Sequence, residues 1–141
     1  MYVLPHCIET GFNSLFVKAN AFDVSCLSFV LNEDYQSYSV SDCKTTAEGD
    51  VIIPSVYDEL PVTAVLEYAF SSCEGIKSVT IPDSVTSIGS GAFYGCSNLV
   101  FVDIVGEITE IGDSTFSDCF SLTSITFPET LTTIGNSAFD S

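Results

Sequence analysis

The sequence predicts a β-rich repeat solenoid with a short helical or 3₁₀ turn in each repeat. Three observations lead there. Phe70, Phe93, Phe116 and Phe139 recur at a step of 23, as do Val65, Ile88, Ile111 and Ile134. The same step relates Val62, Val85, Ile108 and Leu131, and Thr63, Thr86, Thr109 and Thr132. Apolar and polar residues also alternate over runs too short for a helix, as in Ser78-Val79-Thr80-Ile81. Gly89, Gly112 and Gly135 keep the period and place one turn in each unit. A unit this small cannot bury its apolar side alone. Stacked copies, with strands about 4.8 Å apart, share one continuous core.

In chain order, residues 1–26 fit no repeat column. They do not read as a secretory signal: Glu9 interrupts the apolar stretch, and the only basic groups before Lys18 are His6 and the amino terminus. The first repeat, about 48–75, is five residues longer than the rest, since Ile53 to Ile81 is 28 against the usual 23. The extra length falls around Tyr57–Pro61 and is expected to form a loop on one face. Units 76–98, 99–121 and 122–141 follow. Each opens on an apolar residue (Ile76, Leu99, Leu122) and enters a strand with Val79, Val102, Ile125 and then Ile81, Ile104, Phe127 pointing inward. Pro82 and Pro128 close two of these strands, as suits a residue that cannot donate to a ladder. A second extended piece, Val85-Thr86-Ser87-Ile88, precedes the glycine. Ser90, Asp113 and Asn136 then stand where a helix N-cap would, so a helical or 3₁₀ turn is expected before each Phe. The last unit stops two residues after Phe139 with no polar terminal cap, which predicts a truncated array.

Charge narrows the partners. The 141 residues carry 19 acids, 3 Lys and no Arg, for a formal charge of −16. Such a chain is repelled by nucleic-acid phosphates and by anionic membrane surfaces. No run of about 18 apolar residues is present, so no membrane insertion is expected. After Lys77 come eight acids and no base, and five of those acids fall in unit 99–121, where a basic partner or a cation would be sought first. When the units are overlaid, no column puts acids on adjacent rungs: Asp103 lies between Thr80 and Thr126, and Gly106 separates Asp83 from Glu129. The pattern is consistent with rung stacking, because like charges directly opposite destabilise a ladder.

The unit Ile76-Lys77-Ser78-Val79-Thr80-Ile81-Pro82-Asp83-Ser84-Val85-Thr86-Ser87-Ile88-Gly89-Ser90-Gly91-Ala92-Phe93-Tyr94-Gly95-Cys96 resembles the BspA-like leucine-rich repeats. Leu31-Asn32-Glu33-Asp34 with Tyr38-Ser39-Val40 resembles that family's opening hairpin, which makes 27–47 an N-terminal capping hairpin. Asp50–Pro54 and Leu60–Thr63 resemble its longer first repeat. Two positions depart from the pattern: Val105 stands for Pro and Thr115 for Ala. The resemblance implies a right-handed leucine-rich-repeat superhelix and recognition rather than catalysis. It implies a non-catalytic adhesion or protein-recognition module, cell-surface or secreted, that binds a host matrix or cell-surface protein. A structural spacer presenting other domains is the alternative, and end-to-end self-association through the uncapped last repeat is a further candidate.

The residues themselves offer little chemistry. His6 has no partner at a recognised spacing, and no catalytic or phosphate-binding motif occurs. No cofactor and no metal are expected. Glu107 with Glu110, and Asp58 with Glu59, read as solvated acids without calcium-loop spacing. Cys73, Cys96 and Cys119 form a column expected to be small buried core residues. Cys7, Cys26 and Cys43 lie outside the repeats, and a bridge among them stays open. The candidate ligand-binding face is the outward strand surface: Asp50, Ser78, Phe101 and Ser124 in one column, Ile52, Thr80, Asp103 and Thr126 in the next. Phe101 is the one aromatic expected to point out of these strands.

Overall fold

The computed structural model describes residues 24–141. The expectations for His6, for Cys7 and for a secretory signal in the first residues lie outside the described residues. After a 3₁₀ turn at Val24–Cys26, strands β1 (Leu27–Leu31) and β2 (Tyr38–Cys43) form an antiparallel hairpin. Polar side chains close its connection. The Asn32 amide donates to Ser37 Oγ at 2.8 Å, Ser39 Oγ donates to Asn32 Oδ1 at 2.7 Å, and Ser37 Oγ donates to Asp34 Oδ2 at 2.8 Å. Ser37 and Ser39 are therefore buried but satisfied.

The stack begins with β3 (Gly49–Ile52), β4 (Val56–Tyr57) and β5 (Leu60–Val65). The insertion around Tyr57–Pro61 is not an open loop. It is a tight hairpin, with Val56 opposite Pro61 and Tyr57 opposite Leu60 across antiparallel β4 and β5. Strand β2 runs parallel to β5, with Val40 opposite Val65, so the first hairpin covers that end of the stack. The later rungs contribute β6 (Ile76–Ile81), β7 (Ser87–Ile88), β8 (Phe101–Ile104), β9 (Glu110–Ile111), β10 (Ser124–Thr126) and β11 (Thr133–Ile134). One parallel sheet has the order β3-β6-β8-β10. The other wall is made of the parallel pairs β5–β7 and β9–β11.

The register follows the 23-residue step: Val79 faces Val102, Ile81 faces Ile104, and Ile125 faces Val102. Inside, the phenylalanine column is a stack of rings. Centroids lie 4.9 Å apart from Phe70 to Phe93, 5.3 Å to Phe116 and 5.4 Å to Phe139, with interplanar angles of 21°, 5° and 12°. Those spacings are close to the strand separation, so each ring is set by its own rung. Fully burying a Phe is worth roughly 1.5–3 kcal/mol, and Phe70, Phe93 and Phe116 are all at most 1% exposed.

The expected helical turn is absent from the repeats. Alternate N–H groups there donate sideways to the next rung: Phe70 to Ala92, Ser72 to Tyr94, Phe93 to Thr115, Gly95 to Ser117 and Phe116 to Ala138. The N–H groups between them close tight local turns, such as Ser71 to Tyr68 and Tyr94 to Gly91. A helix would require every N–H to point along the chain, so it cannot coexist with this ladder. The pattern needs left-handed backbone at fixed columns: Tyr68, Gly91, Ser114 and Ser137 have φ of 57°, 61°, 54° and 53°, and Ser72, Gly95 and Asp118 have 60°, 72° and 59°. Asp113 is therefore no N-cap; its Oδ1 accepts the Asn136 N–H of the next rung at 2.7 Å.

The two departures from the repeat pattern are accommodated. Thr115 is fully buried, and its hydroxyl donates to the Gly112 carbonyl at 2.8 Å. Val105 is half exposed and needs no pocket. Gly106 has the least room of the described glycines: a Cβ there would run into the carbonyls of Val85 and Pro82.

The cysteine column has four members. Cys43 is buried beside the first repeat, and the Cys73 thiol donates to its carbonyl at 3.4 Å. Cys96 and Cys119 donate to the Phe70 and Phe93 carbonyls at 3.0 and 3.1 Å. All four are free thiols, which removes Cys43 from any bridge, while Cys26 is in a disulfide. Hydrogen bonding between neighbouring thiols, reinforced by burial, pushes Cys43 and Cys96 well above the ordinary thiol value and keeps them neutral.

Candidate functional site

The eight outward positions come together as two straight columns on the β3-β6-β8-β10 sheet. Asp50 lies opposite Ser78, Ser78 opposite Phe101, and Phe101 opposite Ser124. Ile52, Thr80, Asp103 and Thr126 form the second column in the same way. The cause is the strand period of two, which sends Val51, Val79 and Val102 inward and their neighbours outward. Strand rise and strand spacing are both fixed, so the side chains form a rigid grid.

The grid is not uniform. Ser78 Oγ donates to Asp50 Oδ1 at 2.7 Å, which ties the first two rungs. Ile52, Thr80 and Asp103 are half-buried, whereas Asp50, Ser124 and Thr126 are open. Phe101 is 37% exposed, and the preceding residue Val100 is 41% exposed. Asp103 stands between two threonines and opposite no other acid, so the adjacent-charge rule holds across the sheet. The result is a polar hydroxyl-rich surface with one aromatic near its centre and carboxylates on either side.

Around this face the chemistry is sparse. Among the described residues, no group of three His, Cys, Asp or Glu could hold a metal ion. No helix among them is long and apolar enough to cross a membrane. An open hollow lies at the last rung, lined by Leu122, Thr123, Ser124, Ile125, Phe127 and Phe139. On the turn side, the Asp118 carboxylate beside Tyr94 holds its phenol above the ordinary value.

Sequence reasoning missed a second cluster. Phe29 of β1 stacks on Tyr57 of β4 at 4.0 Å and 14°, and Tyr38 of β2 meets the same ring edge-on at 5.0 Å. These aromatics follow no period, and only the pairing of two hairpins unites them. The usable signal was the five-residue insertion itself, which broke the 23-residue step at that place.

Comparison with known proteins bears on the repeats directly. The family model described as BspA type leucine rich repeat region matches residues 49–141, in six copies. No curated protein matches the sequence. Among solved structures, the T. pallidum leucine rich repeat protein TpLRR is 32% identical with a TM-score of 0.73, over 80% of this chain and 52% of that one. A leucine-rich repeat protein from Bacteroides ovatus is 29% identical with a TM-score of 0.74, over 84% of this chain and 32% of that one. A leucine rich cell surface protein from Faecalibacterium prausnitzii is 25% identical with a TM-score of 0.64, over 84% of this chain and 39% of that one. The chain thus spans about half the length of the T. pallidum protein, and less of the other two.

Proposed function

Because the chain belongs to the BspA-type leucine-rich-repeat family, we propose that it is a non-catalytic recognition or adhesion module that meets a protein partner on the β3-β6-β8-β10 face. The observation that carries this reading is the geometry of that face: two in-register columns of half-buried and open side chains, with Phe101 exposed between hydroxyls and carboxylates. Exposed aromatics at the centre of a polar surface are the usual anchors of protein interfaces. A flat grid of this kind suits another protein's surface better than a small molecule, which is bound in a cleft. A cell-surface or secreted location is part of the proposal. It is supported by the Faecalibacterium relative, described as a cell surface protein, and by the disulfide at Cys26, which suits an oxidising compartment.

The test is a solid-phase assay of the full chain against a reconstituted matrix-protein layer. The double substitution Phe101→Ser with Asp103→Lys abolishes binding if this face is the interface, while thermal unfolding stays within a few degrees of the parent. A spacer would be indifferent to the face substitutions, and unchanged binding would remove the recognition reading from this surface.

A further inference from the structure

The paired hairpins at the N-terminal end carry surface that the stack does not need. The β4–β5 hairpin exists only in the first repeat, where it adds the five extra residues. It folds back on the β1–β2 hairpin through the Phe29–Tyr57–Tyr38 ring contacts, and Asn32 Nδ2 donates to Thr63 Oγ1 at 3.3 Å beside them. Those contacts would suffice to clamp the insertion down. Yet Val56 remains 53% exposed, Leu31 39% and Tyr57 36%, so an apolar ledge stays open beside the clamp.

The hairpin tip adds charge to this ledge. Its two turn residues are Asp58 and Glu59, both exposed, at φ of 47° and 67°. A two-residue turn with both residues left-handed favours Asn-Gly, because a side chain there is strained. Asp58 suits the first of these positions, but Glu59 stands where glycine is favoured. The Tyr38 hydroxyl reaches Asp58 Oδ2 at 3.4 Å, so phenol and carboxylate converge at the rim of the ledge. Partial burial first, and the Asp58 charge next, hold the Tyr38 phenol above its ordinary value, so it stays a donor and leaves Asp58 as the negative group. Across residues 24–65 there are seven acids and a single base, Lys44, so the hairpins carry a strong excess of negative charge.

We propose that the two hairpins form a binding site for a lysine or arginine side chain of a basic peptide segment. The aliphatic stem lies on Tyr57 and Val56, and the cationic head meets Asp58 and Glu59 next to the Tyr38 hydroxyl. Lysine and arginine are the side chains that need both an apolar bed and an anionic end, and an aromatic ring attracts their charge as well. The site is built on other strands than the β3-β6-β8-β10 face and does not depend on the reading of that face.

The test uses the full chain and a fluorescently labelled decapeptide of alternating Lys and Gly, with a Glu–Gly decapeptide as counter-probe, at about 0.15 M salt. The substitution pair Asp58→Asn with Glu59→Gln weakens Lys-peptide binding about five- to tenfold, and Tyr57→Leu weakens it about threefold. The control pair Glu107→Gln with Glu110→Gln removes the same charge from the third rung and changes binding less than about twofold. Phe101→Ser leaves it unchanged, so the two surfaces are scored separately. Equal losses from both charge pairs would mean diffuse attraction to an acidic protein and would overturn the proposal. So would full binding by the Asp58/Glu59 variant, or equal affinity for the two peptides.

Discussion

The middle rungs and the last rung carry the same side chains in the same columns and meet opposite fates. Phe93 and Phe116 are at most 1% exposed, whereas Phe139 is 42% exposed. Ile88 and Ile111 are 5% and 1% exposed, against 53% for Ile134. Ile81 and Ile104 are buried, while Phe127 in the same column is 37% exposed. Ring stacking to the preceding rung is equally good at both places, at 5.3 Å for Phe93–Phe116 and 5.4 Å for Phe116–Phe139. What differs is the far side, where no described residue lies over the last rung. Residue type thus sets the direction in which a side chain points, and the neighbouring rung sets whether it is buried. Stability in such an array is a sum over interfaces rather than over residues.

The sharpest way to break the comparison is one substitution at each end of a column. Phe93→Ala removes a ring packed on both faces and is expected to cost about 3–5 kcal/mol. Phe139→Ala removes a ring packed on one face and is expected to cost less than about 1.5 kcal/mol. Urea unfolding of the two variants against the parent measures both. Equal costs would show that the last rung is as well supported as the middle ones.

A smaller effect tests how tightly the middle rungs approach. Gly106→Ala forces a methyl against the Val85 and Pro82 carbonyls, at an expected cost of about 1–3 kcal/mol. Unchanged thermal stability would mean that the rungs can move apart there without loss.

The smallest effect contrasts the covered end with the open one. The Gln36 N–H and then the Ser37 hydroxyl hold the Asp34 carboxyl below its usual value. A carboxyl depressed in the folded state contributes stability above its unfolded pKa, and that contribution is lost as pH falls through the folded value. The first hairpin should therefore loosen below about pH 4. In Asp34→Asn the loosening loses that dependence, as NMR line shapes of Ser37 and Ser39 would report. An identical acid transition in both proteins would remove Asp34 from the account.

The repeat register was legible in the sequence because its columns are strictly periodic. Inward Val79, Val102 and Phe93, outward Ser78 and Phe101, and the buried Cys96 all follow from a fixed step and a strand period of two. The turn conformation was not legible. Left-handed backbone is signalled by glycine at Gly91 and Gly95, but the equivalent Tyr68, Ser72, Ser114 and Asp118 give no such sign. Serine and aspartate before a phenylalanine read equally well as a helix start, and the sideways hydrogen bonds that decide the matter belong to the next rung. Cys43 escaped the column because it precedes Cys73 by 30 residues rather than 23. The aromatic site of Phe29, Tyr38 and Tyr57 escaped because its members meet through strand pairing, which no spacing records.

Native-state hydrogen exchange tests most directly the claim that neighbouring rungs, not residue types, hold each rung in place. The Thr86 and Gly89 N–H groups donate to the Thr63 and Val65 carbonyls, and the equivalent Thr132 and Gly135 N–H groups donate to Thr109 and Ile111. The bonds are alike, at 3.0 and 2.8 Å for the first pair and 2.9 and 2.7 Å for the second. Thr86 and Gly89 should exchange only through global unfolding, and Thr132 and Gly135 at least about 100-fold faster through opening of the last rung alone. Equal protection of the two pairs would contradict that claim.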